Sequence, residues 1–565
     1  MQWSLKPGPM ESDIRQLAGQ INMDPVLAQL LLQRGIGDSE SARTFFRPEL
    51  SQLHDPFLMR DMDRAVERIE RALGQQERIL VYGDYDVDGT TSVALVSSFL
   101  KETHPSLVDT YIPDRYLEGY GLSFQGVEYA LDNDISLVIA LDCGIKALVQ
   151  IAYAKEKGVD VIVCDHHIPG GELPPAVAIL DPKREDCDYP YKELCGCGVG
   201  FKLIQALAGK RGREVEELRP YLDLVATAIG ADVVPLTGEN RVLAHFGLKV
   251  INSNPRTGIG ALMELSKKKK RDFNIRDLIF QIAPRINAAG RIHKGSHAVA
   301  LLNEKDSVRA KEVAEEIERF NTERRELDQE ITKEALDQIV EHGEEGRFSS
   351  VVFKEDWHKG VIGIVAARLT ETYYRPTLVF TKSGDRLAAS ARSVRGFDIY
   401  SALEDCSQYL EQFGGHTFAA GLTLLEDQYE NFKQAFEEVV QKRLGTKTLK
   451  PEIQIDAELK LDQIGPKLMK QLNWFAPFGP GNPLPVFLAR GLRDSGHARG
   501  VGSQGEHLKA ALYQDGGRPL GAIGFGLGHK LEMVREGETF DAVFSLDENH
   551  WNGSVEIQMI LKDLR

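Results

Sequence analysis

From Arg78 to Asp84 the chain runs Arg-Ile-Leu-Val-Tyr-Gly-Asp, a short apolar stretch rich in β-formers, and a helical pattern over Thr90–Glu102 follows a Gly-containing turn. The same unit returns as apolar Ser136–Asp142, helical Lys146–Gly158 and apolar Val159–Asp165. Apolar runs of strand length alternating with helices predict right-handed βαβ crossovers and a parallel sheet covered on both faces. Residues 1–75 read as an amphipathic helical lead-in. Residues 305–342 carry no Pro or Gly before Gly343 and space their apolar residues three and four apart among dense charge, which predicts one long, largely exposed connector helix. A second α/β region, 346–445, opens on strand Phe348–Phe353 and holds another at Thr377–Thr381. Thr446–Pro451 reads as a linker into short strands and Gly-rich turns, a pattern that predicts a small β-barrel. The fold class is therefore α/β, with a lead-in (1–75), a parallel-sheet domain (76–300), a long connector helix (301–345), a smaller α/β domain (346–445) and a terminal barrel (446–565).

A chain of 565 residues requires several domains, since single cores stop growing near roughly 250–300 residues. The amino terminus lacks the features of a signal peptide, and no apolar run reaches the ~18 residues of a membrane span, so the expectation is a soluble, cytoplasmic protein without a membrane partner. Six cysteines (Cys143, Cys164, Cys187, Cys195, Cys197, Cys406) are too few for a disulfide scaffold at this length and read as reduced thiols. Cys195-Gly-Cys197 has no second Cys/His pair at finger-like spacing, so buried structural thiols are the better reading than zinc. A formal charge of −16 argues weakly against a phosphate-backbone partner, but a narrow groove needs only local basic charge, while a metal cluster concentrates acid elsewhere. Lys267–Arg271 is one basic candidate, though a solvated loop is the better explanation of a single run.

The chemistry lies where the apolar strands end: Gly83-Asp84-Tyr85-Asp86-Val87-Asp88-Gly89, Leu141-Asp142-Cys143-Gly144 and Asp165-His166-His167. Each group sits at the carboxyl end of a strand, where open α/β sheets place ligands. A single DxD is commonly a solvated loop or a helix cap. Three such endings on consecutive strands crowd carboxylates that repel one another unless cations hold them. If Asp84–Asp88 stays extended, alternate side chains turn its three carboxylates toward one crevice, with Gly89 freeing the backbone to turn into the helix. Ala231-Asp232-Val233-Val234-Pro235 adds a carboxylate after a helical run. Oxygen and imidazole donors without thiolate suit Mn²⁺ or Mg²⁺, and this many ligands can hold two ions about 3.5–4 Å apart, the arrangement for in-line phosphoester hydrolysis.

The motifs GDYDVDG (83–89), LDCG (141–144), DHH (165–167) and ADVVPL (231–236) resemble the DHH phosphoesterase superfamily. Further stretches at 112–123, 282–292, 357–369, 390–398, 413–422 and 475–487 are similar to its single-strand-specific exonucleases. The resemblance implies a parallel-sheet DHH domain joined by a long helix to a DHH-associated domain, plus a terminal OB-like barrel. It implies Asp86, Asp88, Asp142, His166 and Asp232 as metal ligands, with Asp142 bridging two Mn²⁺ or Mg²⁺ ions and His167 facing the scissile phosphate. The superfamily's His four residues before Asp86 is Tyr82 here, so Asp84 is the further carboxylate available to the first ion. Gly414, Gly415 and His416 fall in the glycine-rich motif of the associated domain. Ser390 and Arg392 fall where a terminal 5′ phosphate binds, and Arg115, Tyr120, Arg285, Asn287 and Arg291 fall among strand contacts. His507 and Lys509 are candidates on the barrel.

The implied function is a metal-dependent 5′→3′ exonuclease that degrades single-stranded DNA to mononucleotides in recombination and repair, a monomer working with a helicase and a single-strand-binding protein. A nanoRNase or cyclic-dinucleotide phosphodiesterase of the superfamily is the alternative, disfavoured by length and by the extra barrel. A catalytically inactive replication scaffold would have no physical need for so many crowded carboxylates.

Overall fold

The structure is a computed structural model that describes residues 1–266, 272–445, 449–551 and 554–565. The basic run Lys267–Arg271 and residues 446–448 of the expected linker lie outside the described residues.

The chain opens with a strand, β1 (Gln2–Leu5), before the central sheet begins. That sheet holds β2 (Arg78–Gly83), β3 (Val108–Tyr111), β4 (Ile135–Leu141), β5 (Asp160–Cys164) and β6 (Ala178–Leu180) in the order β3-β2-β4-β5-β6, with every neighbour parallel. Its apolar runs are explained by burial on both faces. Ile79, Val81, Ile139, Leu141 and Ile162 enter a large core on one side, while Leu80, Tyr82, Val138, Ala140 and Val163 enter a smaller one on the other. Each such Val, Leu or Ile side chain contributes about 1.5–3 kcal/mol by leaving water. The connection out of β2 reaches the edge strand β3, and the chain then crosses back to β4. The topological switch point therefore lies between the carboxyl ends of β2 and β4.

The helix Ser307–Glu341 links this domain to the next. It is less exposed than its charge suggests, because Ala310, Ala314, Ile317, Ile331, Ala335 and Ile339 form a buried stripe at helical spacing. Its first half packs with the parallel-sheet core, and its second half packs with the following domain. That domain holds β7 (Ser350–Phe353), β8 (Thr377–Ser383), β9 (Arg386–Arg392), β10 (Gln412–His416) and β11 (Ala419–Leu425), ordered β10-β11-β9-β8-β7, with only β7 and β8 parallel.

Strand β12 (Glu452–Ile455) leads into a barrel of β13 (Ala457–Glu458), β14 (Phe487–Asp494), β15 (Arg499–Val501), β16 (His507–Tyr513), β17 (Leu520–Gly524), β18 (Phe540–Trp551) and β19 (Ser554–Leu564). β14 pairs with both β18 and β16, which closes the sheet. The lead-in differs from a purely helical segment. β1 pairs in parallel with β12, Gln2 opposite Glu452, and Leu17, Leu27, Leu30 and Leu31 enter the barrel's core. Local periodicity carries no signal of partners so distant in sequence. Among the described residues, no helix is long and apolar enough to cross a membrane.

Candidate metal centre and anion pocket

Asp84 follows directly on β2, and the backbone passes almost at once into the helix Val87–Lys101, whose N-cap is Asp86; the Asp86 carboxylate accepts the Gly89 N–H at 3.0 Å. This corrects the extended alternation expected for Asp84, Asp86 and Asp88: they come from a strand end, a cap and a first helical turn. Gly89 lies inside the helix rather than turning into it. A Cβ at Gly89 would stand 2.3 Å from the Asp84 carbonyl oxygen, so glycine is needed for the helix to start against the strand end. Asp88 is buried and accepts N–H bonds from Gly196 at 2.6 Å and Cys197 at 2.7 Å, at the start of the helix Gly196–Lys210.

β4 delivers Asp142 in the left-handed region, φ 58°, a conformation uncommon for a non-glycine residue. Its N–H donates to the Cys164 carbonyl, which ties it to the end of β5 and so to Asp165, His166 and His167. His166 Nε2 lies 3.2 Å from Asp142 Oδ1, 3.7 Å from Asp232 Oδ2 and 3.8 Å from Asp88 Oδ2. Asp232 follows directly on the helix Leu222–Ala231. Two groups of donor atoms result, Asp142–His166–His167 and Asp88–His166–Asp232, each within 4.8 Å.

Burial, then Asp86, holds the Asp84 carboxyl well above its ordinary range; burial, then Asp88, does the same at Asp142. Burial and the neighbouring His167 push His166 down to about 3, so it is neutral and able to bind a cation. Asp84 Oδ1, Asp142 Oδ1 and both His166 ring nitrogens are buried without hydrogen-bond partners. Orphaned donors and self-repelling carboxylates fit divalent cations. Tyr82 stands apart, buried on the opposite face of the sheet and donating to the Gly121 carbonyl at 2.8 Å.

His167 is held differently. Its Nδ1 lies 2.7 Å from Asp165 Oδ1 and its Nε2 3.1 Å from the Tyr120 hydroxyl. Burial alone would raise Asp165, but the His167 bond outweighs it and lowers the carboxyl to about 2; burial alone would lower His167, and Asp165 holds it up.

The carboxylates give a metal-removal prediction. Burial, then Asp86, raises Asp88 to about 7, and burial, then Asp88, raises Asp232 to about 8. Without metal, both keep protons in the folded state that the unfolded chain releases near about pH 4, so stability falls as pH climbs from there toward 8, by ~1.4 kcal/mol per pH unit for each such proton. A bound cation replaces those protons. Mn²⁺ is therefore expected to raise the melting temperature more at pH 8 than at pH 6. Calorimetry with and without chelator checks this, and equal increments would refute it.

A second constellation lies on the associated domain. A Cβ on Gly363, in the first turn of the helix Ile362–Tyr373, would stand 2.9 Å from Ser390 Oγ and 3.1 Å from Arg392 Nη2, so this helix start rests on both side chains. Across the sheet, Ser390, Gly421 and Gly414 form one row, and Arg392, Ala419 and His416 form the next row on the same face. From the parallel-sheet domain, Arg291 donates to the Gly360 carbonyl at 2.8 Å, and the Tyr116 hydroxyl donates to the Arg291 carbonyl. Arg115 covers the Tyr85 ring at 4.7 Å. Burial, then Arg115, Arg324 and Arg392, lowers Arg291 to about 9; burial, then Arg115, lowers both Arg392 and Lys359. Among the described residues, no carboxylate pairs with Arg115, Arg291 or Arg392. Clustered guanidinium groups, none of them in an ion pair with a carboxylate, beside a helix N-terminus have the chemistry to receive an anion.

Not every candidate gathers here. Arg285 is buried in an ion pair with Glu318 of the long helix at 2.6 Å, apart from the pocket, and Asn287 lies half-buried on the same helix, Ala283–Ile292. Gly415 and His416 lie exposed on the edge strand β10. On the barrel, His507 lies edge-on to Phe525, which is 61% exposed, and Lys509 sits opposite Arg499. Sequence reasoning missed Gly196, whose Cβ would fall 2.6 Å from the Asp142 Cβ, together with Lys359 and Gly363. The Cys195-Gly-Cys197 run and the 357–369 stretch were the signals.

Family models match in three places: "DHH family, N-terminal domain" over residues 78–229, "DHHA1 domain" over 346–442 and "RecJ OB domain" over 455–563. Fold and site together define a DHH phosphoesterase. Among curated relatives, the single-stranded-DNA-specific exonuclease RecJ of Bacillus subtilis (strain 168) is 37% identical over 100% of this chain and 70% of its own, and that of Escherichia coli (strain K12) is 33% identical over 96% of each. The solved structure of RecJ from Thermus thermophilus in complex with Mn²⁺ superposes with a TM-score of 0.85 at 28% identity, covering 100% of this chain and 79% of that one. Its Mg²⁺ complex gives 0.77 at 26%, covering 100% and 78%. The chain belongs to the RecJ family.

Proposed function

We propose that this protein is a 5′→3′ exonuclease that removes mononucleotides from single-stranded DNA. The observation that carries the reading is the pairing of a carboxylate–imidazole centre at the sheet's switch point with a guanidinium cluster to which both domains contribute, Arg115 and Arg291 from one and Arg392 from the other. Asp84, Asp86, Asp88, Asp142, His166 and Asp232 would hold the cations, Mn²⁺ or Mg²⁺. Bound there, such ions lower the pKa of water and neutralise charge developing on phosphate. His167, oriented by Asp165 through Nδ1, presents Nε2–H to a phosphoryl oxygen in this reading. Tyr120, 58% exposed, offers a ring on which any base stacks for about 1–3 kcal/mol. Ser390, Arg392, Arg291, Arg115 and the helix start at Gly363 receive the 5′ phosphate and so set polarity. The barrel face bearing His507, Lys509, Arg499 and Phe525 continues the strand's path.

Free 5′ ends come from unwinding, and exposed single strands are coated, so a helicase and a single-strand-binding protein are the partners in this reading. The enzyme acts as a monomer in the cytoplasm, where its six free, buried cysteines stay reduced.

The experiment supplies Mn²⁺ and single strands labelled at either end, with 5′-phosphate or 5′-hydroxyl, beside duplex DNA. Label is expected to leave first from the 5′ end of single strands. Arg392→Ala is expected to lower kcat/KM on the phosphorylated strand by roughly 10²–10³-fold and to change the hydroxyl strand little. Release from the 3′ end, or equal cutting of duplex, would overturn the proposal.

A further inference from the structure

The loop that carries Asp232 is awkward to hold in place. Asp232 leaves the end of a helix, and Val233, a β-branched residue, follows at φ 60° and 57% exposed, a strained conformation that persists only where surroundings over-determine it. Within its own domain, the next turn is tied: the Pro235 carbonyl accepts from Tyr191 Oη at 3.2 Å and Asn240 Nδ2 at 3.1 Å. Further restraint comes from the barrel side of the molecule. The Leu236 N–H donates to the Pro480 carbonyl at 2.7 Å. A Cβ on Gly479 would stand 2.6 Å from Leu236 Cδ1, and one on Gly481 would stand 3.0 Å from Thr237 Cγ2 and 3.2 Å from Pro235 Cβ. The segment 479–481 thus rests on residues 235–237 at a distance only glycine allows.

The segment is itself fixed. Asn482 Nδ2 donates to the Phe475 and Pro477 carbonyls at 2.7 and 2.9 Å, and Asn482 Oδ1 accepts from Arg34 Nε at 2.8 Å. Arg241, on the helix that follows the Asp232 loop, donates to the carbonyls of Phe475 (2.9 Å), Ala476 (3.0 Å) and Phe45 (3.1 Å), and its guanidinium covers the Phe45 ring. The Asp232 loop and the helix after it are therefore joined to one hydrogen-bonded unit built from residues 475–483 and the lead-in.

We infer that residues 475–483 position Asp232, so that the barrel side of the molecule sets the affinity of the metal centre, with Gly479 and Arg241 as positioning residues. The inference rests on the metal reading above. A shift of about 1 Å in a positioned group is enough for losses near 10²-fold. A side chain at position 479 pushes Leu236, four residues from the ligand.

The test measures Mn²⁺ binding directly, by titration calorimetry and by the electron paramagnetic resonance of free Mn²⁺, on the full chain. Gly479→Val is expected to raise the Mn²⁺ Kd at least tenfold. Adding Leu236→Ala, which removes as many carbons as the valine brings, is expected to restore it. Should Gly479→Val fail to fold, Arg241→Met, which frees the same carbonyls, is expected to show the same rise. Unchanged Kd in a folded Gly479→Val or Arg241→Met protein, with tight binding in the native chain, would overturn this inference alone. No Mn²⁺ binding by the native chain would overturn the metal reading and this inference together.

Discussion

Asp142→Ala is expected to lower the rate of nucleotide release by about 10⁴-fold or more, the scale seen when one member of a catalytic unit is removed. Asp142 lies where the two donor groups meet. Its carboxylate approaches His166 Nε2 at 3.2 Å, it belongs to one donor group while Asp88 and Asp232 crowd it from the other, and its backbone N–H ties the ends of β4 and β5 together. The same substitution is expected to make the metal-free protein melt higher, because it deletes a buried carboxylate held among four others. A nuclease assay on end-labelled strands and a melt in chelator test both parts. Retained activity would remove Asp142 from the metal centre.

Gly196→Ala is expected to cost about 10²-fold in kcat while leaving the fold intact. The added methyl would fall 2.6 Å from Asp142 Cβ, 2.7 Å from its Oδ1 and 2.9 Å from its Cα, inside any permitted contact, and all three atoms belong to a buried residue whose backbone is already constrained. Either Asp142 moves or the helix start withdraws, and withdrawal stretches the 2.6 Å bond from the Gly196 N–H to Asp88. A displacement near 1 Å suffices for a loss of that size. Cys197→Ala is the companion: its contribution to Asp88 is a backbone N–H, so activity is expected to survive. Equal losses in both variants would assign the role to the thiol, and a fully active Gly196→Ala would show that the strand ends tolerate looser packing. Circular dichroism separates either outcome from unfolding.

The chain order of chemistry was legible in the sequence because it rides on strand ends, and parallel strands buried on both faces announce themselves as apolar runs. Asp84, Asp142 and His166 could be placed in one crevice on that basis alone. The local path between Asp84 and Asp88 could not, since period-two alternation holds only while backbone stays extended, and Asp86 caps a helix instead. Arg285 illustrates a different limit. It stands in the same motif as Arg291, which donates to the Gly360 carbonyl, yet its own partner Glu318 lies on another helix, and nothing local distinguishes a guanidinium that meets a carboxylate from one that does not. Gly196 shows the converse, a residue without side-chain chemistry whose importance rests on the space a hydrogen leaves.

The pairing of β1 with β12, and the shared core of the first helices with the barrel, bear on how the protein is made. Ribosomes deliver roughly 5–20 residues per second, and domains generally fold in the order they emerge. At that pace Gln2 waits on the order of half a minute or more before Glu452 exists to meet it, while the parallel-sheet and associated domains, whose segments are contiguous, can already be complete. During that interval the first helices carry Leu27, Leu30 and Leu31 with no partner surface, an apolar face that the later barrel strands cover.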